Sequence, residues 1–145
     1  MSFTLGEFPE GLSNFVVVDE IRAGVSPIDP RGTWALGLGA ASITGAHPGG
    51  PNYLEYGDGV TSCGHLILLI GKQELRRMKM PCVTSPIPAS YSATARSQHS
   101  GVVNTLRLDG SVEAISDSID RATWLKLHSR SSDLAQQLSG LRQLD

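Results

Sequence analysis

His99-Ser100-Gly101-Val102-Val103-Asn104-Thr105-Leu106-Arg107-Leu108-Asp109-Gly110-Ser111-Val112-Glu113-Ala114-Ile115 is the stretch that decides the fold. Two apolar-rich runs flank Asp109-Gly110. Asp-Gly between such runs signals a hairpin, because the tight turn needs positive φ and glycine adopts it without a Cβ clash. With Asp109 and Gly110 as a two-residue loop, Leu108 faces Ser111, Arg107 faces Val112 and Thr105 faces Ala114. One face then carries Val103, Thr105, Val112 and Ala114, with Arg107 at its rim. The other carries Leu106 and Leu108 beside Ser111 and Glu113. A three-residue loop with a bulge shifts this register, and the sequence leaves both open.

After the hairpin, Asp117 or Ser118 is expected to cap a helix running to about Ser129, with Asp120 in its first turn at the positive helix end. Trp124 and Leu127, with Ile119 or Ala122, are expected to face the sheet. Leu134, Leu138 and Leu141 form one stripe of a short amphipathic helix or tail over 131–145, leaving 1–130 as a single globular domain. Before the hairpin, Asn14–Arg22 reads as a strand. Its three consecutive valines suggest burial on both faces and a central place in the sheet. Thr33–Leu36 is a second strand candidate, and 37–64 is a Gly-rich excursion, longer than most loops. His65–Met80 reads either as strand, turn and short helix or as one helix kinked at Gly71. Pro81, Pro86 and Pro88 make 81–90 a loop. The expected fold class is therefore α+β: a twisted antiparallel β-sheet with a C-terminal hairpin, a covering helix and long Gly-rich loops.

Bulk properties narrow the function. A chain of 145 residues makes one domain with a genuine core. With 40% apolar and 18% charged residues it is globular rather than disordered. A net charge of −2 gives no electrostatic case for nucleic acid or an anionic membrane. The longest apolar run, Leu66–Ile70, is far short of the ~20 residues a membrane span needs, so this chain itself is not expected to insert.

Several segments, in order, carry a resemblance. They are Gly11-Leu12-Ser13-Asn14, Arg31-Gly32-Thr33-Trp34, Gly50-Pro51-Asn52 with Asp58 and Cys63, Met80-Pro81-Cys82, Ala95-Arg96-Ser97-Gln98-His99 and Ser118–Trp124. Joined to a His, nine residues and Asp-Gly, they resemble the bacterial prepilin-type, pseudopilin-like proteins with a C-terminal H-x9-D-G motif. Where that group usually has H-P-G-G-V-N, this chain has His99-Ser100-Gly101-Val102-Val103-Asn104. The resemblance covers roughly residues 6–130 and marks His99, Asp109, Gly110, Ser111, Trp34 and Trp124 as motif residues of structural weight. It implies a non-enzymatic domain of unknown function that serves surface or secretion-filament assembly, with other pilin-like subunits or surface proteins as partners. It also implies an extracytoplasmic or cell-surface location. Such proteins begin with a basic leader and a long apolar helix, which Met1–Gly6 does not resemble. The chain is expected to be their distal half, or cytoplasmic if taken as it stands. In an exported, loop-rich domain Cys63 and Cys82 are candidates for a disulfide; in a cytosolic one they would be two buried thiols.

Two constellations invite chemistry. His99 oriented by Asp109 or Asp58 could serve a hydrolase as general base. Ser97, Ser100 and Ser111 lie nearby, but none sits in a nucleophile elbow, and Asp109 can instead hydrogen-bond turn N–H groups. Architecture is the favoured reading. Asn52, Glu55 and Asp58 form an oxygen-rich cluster in the 47–64 loop, where a calcium-dependent binding module would hold its cation. Major pseudopilins of type II secretion carry a structural calcium in a distal loop. Solvated turn residues are favoured here, so no cofactor beyond such a calcium is expected. Lys72, Arg76, Arg77 and Lys79 form a basic patch, with Lys72 and Arg76 on one helix face.

Overall fold

Chain reversal at Asp109-Gly110 builds the sheet, but through a three-residue loop. In a computed structural model, described for residues 4–8, 10–47, 49–55, 57–84 and 92–129, β4 (Val102–Arg107) and β5 (Val112–Ser116) pair antiparallel. Their register is Thr105↔Glu113, Asn104↔Ala114 and Val103↔Ile115. The Arg107 N–H donates to the Ser111 carbonyl and the Gly110 N–H to the Arg107 carbonyl. Gly110 sits at φ 87°, the left-handed conformation such a bulged loop requires. The two-residue register is thus corrected by one, which turns β5 over. Ile115 joins Val103 and Thr105 on the buried face, while Val112 and Ala114 are exposed. Arg107 and Glu113 form an ion pair at the rim.

The strand β1 (Val16–Asp19) pairs antiparallel with β4, giving the order β1-β4-β5. The central-strand expectation for 14–22 is corrected: β4 is central and β1 is an edge. A register irregularity between Val16 and Val18 leaves Val16 buried and both Val17 and Val18 exposed. After two short 3-10 turns and β1, the chain runs without strand or helix to β2 (Asp58–Val60). The expected strand at 33–36 is instead a series of turns. β2 pairs parallel with β3 (Cys82–Thr84), which lies in the segment expected to be loop. Residues 85–91, the rest of that segment, and the stripe at 131–145 lie outside the described residues.

Between these two strands the helical reading holds. α1 (Cys63–Ile70) and α2 (Lys72–Arg77) are separated at Gly71. The Cys63–Cys82 disulfide joins the start of α1 to β3, with Cα atoms 5.7 Å apart. α3 (Arg121–Leu127) follows the hairpin, and its N-cap is Asp120 rather than Asp117 or Ser118. The Asp120 carboxylate accepts from the Thr123 N–H at 2.8 Å, satisfying one of the orphan donors of the first turn. Trp124 and Leu127 face the sheet as expected, with Ile119 packed beside them, while Ala122 is exposed.

Two hydrophobic clusters result. One gathers Ala40, Val60, Leu66, Leu75 and Ala93 around the disulfide. The other packs Val16, Ala95, Val103, Ile115, Trp124 and Leu127 between sheet and α3. Ala93 belongs to the first and Ala95 to the second, so the strand-less segment 92–97 runs from one to the other. The fold is α+β.

Candidate functional site

Four charged side chains are buried together where these irregular segments meet the start of β2. Arg31, Asp29, Asp58 and Arg96 are each at most 6% exposed. Arg31 grips Asp29 with two parallel bonds, Nε to Oδ1 at 2.9 Å and Nη2 to Oδ2 at 2.8 Å. Its Nη1 donates to Asp58 Oδ2 at 2.8 Å and faces the carbonyls of Met80 and Pro81 at 3.2 and 3.1 Å. From the other side Arg96 donates Nε to Asp58 Oδ2 at 2.8 Å and Nη2 to Oδ1 at 2.9 Å. The Thr94 N–H adds a fourth hydrogen bond to Asp58, at 3.2 Å to Oδ1. Arg96 also reaches the Tyr53 carbonyl at 2.8 Å.

Local sequence makes this packing possible. Asp29 lies two residues before Arg31, close enough to accept the Arg31 backbone N–H as well as its side chain. Gly57 lies at φ 71° immediately before Asp58, and a Cβ there would stand 2.8 Å from the Cys82 nitrogen. Only glycine brings Asp58 this close to β3. Bidentate arginine pairs are the geometry in which buried charge is best compensated.

The electrostatics follow. Burial pushes the Asp29 carboxyl up, but the hydrogen bonds and charge of Arg31 outweigh it and hold the group below the usual carboxylate range. Burial likewise opposes charge on Arg31, and Asp29 and Asp58 outweigh it, raising its pKa. Half-buried Arg22, whose Nη1 donates to the Met78 carbonyl, is pushed down by burial and by the charges of Arg96 and Arg31. Arg31 and Arg96 therefore share Asp58 between them, Arg31 also holds Asp29, and Arg22 adds a third cation close by.

The motif residues end up in three places. Asn52 joins the segment after Arg96 to the end of the hairpin: its Oδ1 accepts from the Ser97 N–H at 2.9 Å and its Nδ2 donates to Asp117 Oδ1 at 2.8 Å. Glu55, by contrast, is exposed and accepts from the Tyr53 hydroxyl. The three calcium candidates thus point to separate partners, and among the described residues no group of three His, Cys, Asp or Glu side chains converges. Ser97 donates its hydroxyl to the Val102 carbonyl and accepts the His99 N–H.

His99 lies beside Glu20, Nε2 to Oε1 at 3.3 Å, and its side chain is 55% exposed. Glu20 is itself held by Asn104, which donates its backbone N–H at 3.1 Å and Nδ2 at 3.2 Å to Oε2. These residues border an open depression of about 350 Å³ with Ile21, Arg22, Ala23 and Gln98. Asp109 stands at the other end of β4, ~20 Å away by strand rise, and Asp58 is enclosed by arginines. Neither acid suggested by the sequence can therefore orient His99. Asp109 instead accepts the Ser111 N–H at 2.9 Å and the Ser111 hydroxyl at 2.6 Å, which lowers its pKa. That is an Asx turn closing the hairpin.

Trp34 and Trp124 part ways. Trp124 is fully buried under the sheet, and Trp34 is 88% exposed. Around Trp34, turns close from Thr33 N–H to Pro30, from Leu36 to Thr33, and from Leu38 and Ile43 onto this loop. Buried Arg31, Ala40 and Ala41 anchor it, while Leu36, Leu38 and Ile43 stay 42–53% exposed. From Gly32 to Leu54 no Asp, Glu, Lys or Arg occurs. The sequence reading missed both the ion-pair cluster and this display. The available signal was arginine beside small residues, Arg31-Gly32 and Ala95-Arg96-Ser97, with Asp58 between glycines.

Comparison with known proteins gives one family. Residues 2–122 match a family model described as a protein of unknown function, DUF1559. No curated protein and no solved structure matches.

Proposed function

The chain belongs to the DUF1559 family of uncharacterised proteins, and we propose that it is a non-enzymatic, pilin-like globular domain that works by protein contact outside the cytoplasm. The observation that carries this reading is the loop around Trp34. An 88% exposed tryptophan with exposed leucine and isoleucine neighbours, on a charge-free loop, is a poor solvent face. Tryptophan is one of the residue types enriched among the energetic anchors of protein interfaces. Arg31, three residues away, fixes the base of the loop in the buried ion-pair cluster, so the apolar side chains are presented on a rigid support.

Two further features support the reading. The Cys63–Cys82 disulfide suits an oxidising, extracytoplasmic compartment. Among the described residues the only acid bonded to His99 is Glu20, itself tied to Asn104, and the nearby Ser97 hydroxyl is spent on a backbone carbonyl, which favours architecture over hydrolysis. The partners are other pilin-like subunits or surface proteins.

The test places a photo-crosslinking amino acid at position 34 in the full-length protein in its own cells, with position 73 on exposed α2 as control. Crosslinks from position 34 alone to another pilin-like subunit support the reading. Equal yields at both positions, or a product confined to cytosolic fractions, refute it.

A further inference from the structure

Between α2 and β3 lies a cavity of about 240 Å³, well separated in kind from the Trp34 loop. Its floor is apolar, made by Ile67, Leu75, Pro81 and the Val83 side of β3. Lys72 and Arg76 stand on one face of α2 at its edge, and Glu55 lines it as well. Arg77 on the same helix is paired with Glu74 through Nη2 to Oε1 at 2.6 Å. Among the described residues neither the Lys72 nor the Arg76 side chain has a hydrogen-bond or ion-pair partner, and Glu55 is engaged with the Tyr53 hydroxyl rather than with either cation. The cavity therefore presents two unpaired cations, one carboxylate and an apolar floor.

We propose that this cavity binds a free apolar α-amino acid. The ligand's carboxylate would pair with Lys72 and Arg76, its ammonium with Glu55, and its side chain would lie on Ile67, Leu75 and Val83. Charge complementarity sets the class, because an anion alone would leave Glu55 facing it and a cation alone would face Lys72 and Arg76. Size sets the scale. Pockets for drug-sized molecules run from about 300 to 1,000 Å³, and this one is smaller, which fits a solute of single-residue size. Residues on all three faces are held in place: Leu75 is buried, β3 is paired with β2 and tied to α1 by the disulfide, so the cavity exists before the ligand arrives.

The experiment is calorimetric titration of the full-length, oxidised protein with leucine, isoleucine and phenylalanine. Leucinamide and N-acetyl-leucine serve as probes lacking one charge each. At least one free amino acid should bind saturably at one site. Each one-charge probe should bind about tenfold or more weakly, as should the parent ligand to Lys72→Ala, Arg76→Ala and Glu55→Gln. All three side chains are exposed, so circular dichroism of these variants should match the parent. No saturable heat with any of the three amino acids up to 10 mM (on the order of the weakest useful affinity) overturns the proposal. Equal binding to the Arg76→Ala and Lys72→Ala variants also overturns it. Neither result bears on the Trp34 loop, which lies on other residues.

Discussion

Asp58→Asn removes the central anion of the buried cluster without changing its shape. In the parent, Asp58 accepts four hydrogen bonds: one from Arg31, two from Arg96 and one from the Thr94 N–H. Asparagine keeps one acceptor oxygen, but its NH2 group must then face a guanidinium, donor against donor. It also leaves Arg31 with Asp29 alone and Arg96 with backbone carbonyls only, with Arg22 close by. Removing one partner of a buried ion pair costs about 3–5 kcal/mol. A domain of this size loses roughly 2–4 °C in melting temperature per kcal/mol, so the drop should be about 6–20 °C. Total stabilities of about 5–15 kcal/mol leave the variant folded at low temperature but much weakened. Urea unfolding of parent and variant, followed by far-UV circular dichroism, gives the difference directly. A double-mutant cycle with Arg96→Met then isolates the coupling, which should be at least about 1.5 kcal/mol. A loss below about 1 kcal/mol for Asp58→Asn, with an unchanged denaturant slope, would refute the claim that this cluster holds the loops together.

The Asp29 carboxyl is held below its ordinary value, so on acidification the unfolded chain binds that proton first. Its contribution is complete above the unfolded value near 3.9 and is lost as pH falls through the lower folded value, so melting temperature should start to fall below about pH 4. Asp29→Asn should be less stable at pH 7 and show a shallower acid decline. Reducing the Cys63–Cys82 bond, which closes a loop over a separation of 19 residues, should lower stability by about 3 kcal/mol in urea titrations with and without reductant. Trp34→Ala should leave stability within about 0.5 kcal/mol, whereas Trp124→Ala should cost about 3–5 kcal/mol. Fluorescence of the two single-tryptophan proteins should show a solvent-like emission for Trp34 and a shielded one for Trp124.

Much of the sheet could be read from local chemistry. Asp109-Gly110 marks a reversal whatever loop follows, and Trp124 and Leu127 fall on one helical face. Register was not legible, since two- and three-residue loops both fit the same residues and only the second buries Ile115. The three valines were misread because β-branched composition reports strand, not the number of covered faces; a register irregularity decided that. The ion-pair cluster left no periodic trace. Asp58 lies 27 residues from Arg31 and 38 from Arg96; it opens a three-residue strand and both arginines lie outside helix and strand, so nothing in the local pattern links them. The oxygen-rich look of the 47–64 loop was real, but Asp58 faces guanidinium groups.

The central claim is that segments without regular structure, 22–32, 50–57 and 92–97, belong to the cooperative core because buried charge centred on Asp58 at the start of β2 ties them together. Native-state hydrogen exchange tests it most directly. The amides of Gly24, Asn52, Thr94 and Ser97, bonded among these segments and Asp58, should exchange as slowly as that of Val103 in the central strand. Exchange of those loop amides by local opening, orders of magnitude faster than Val103 and unaltered in Asp58→Asn, would contradict the account.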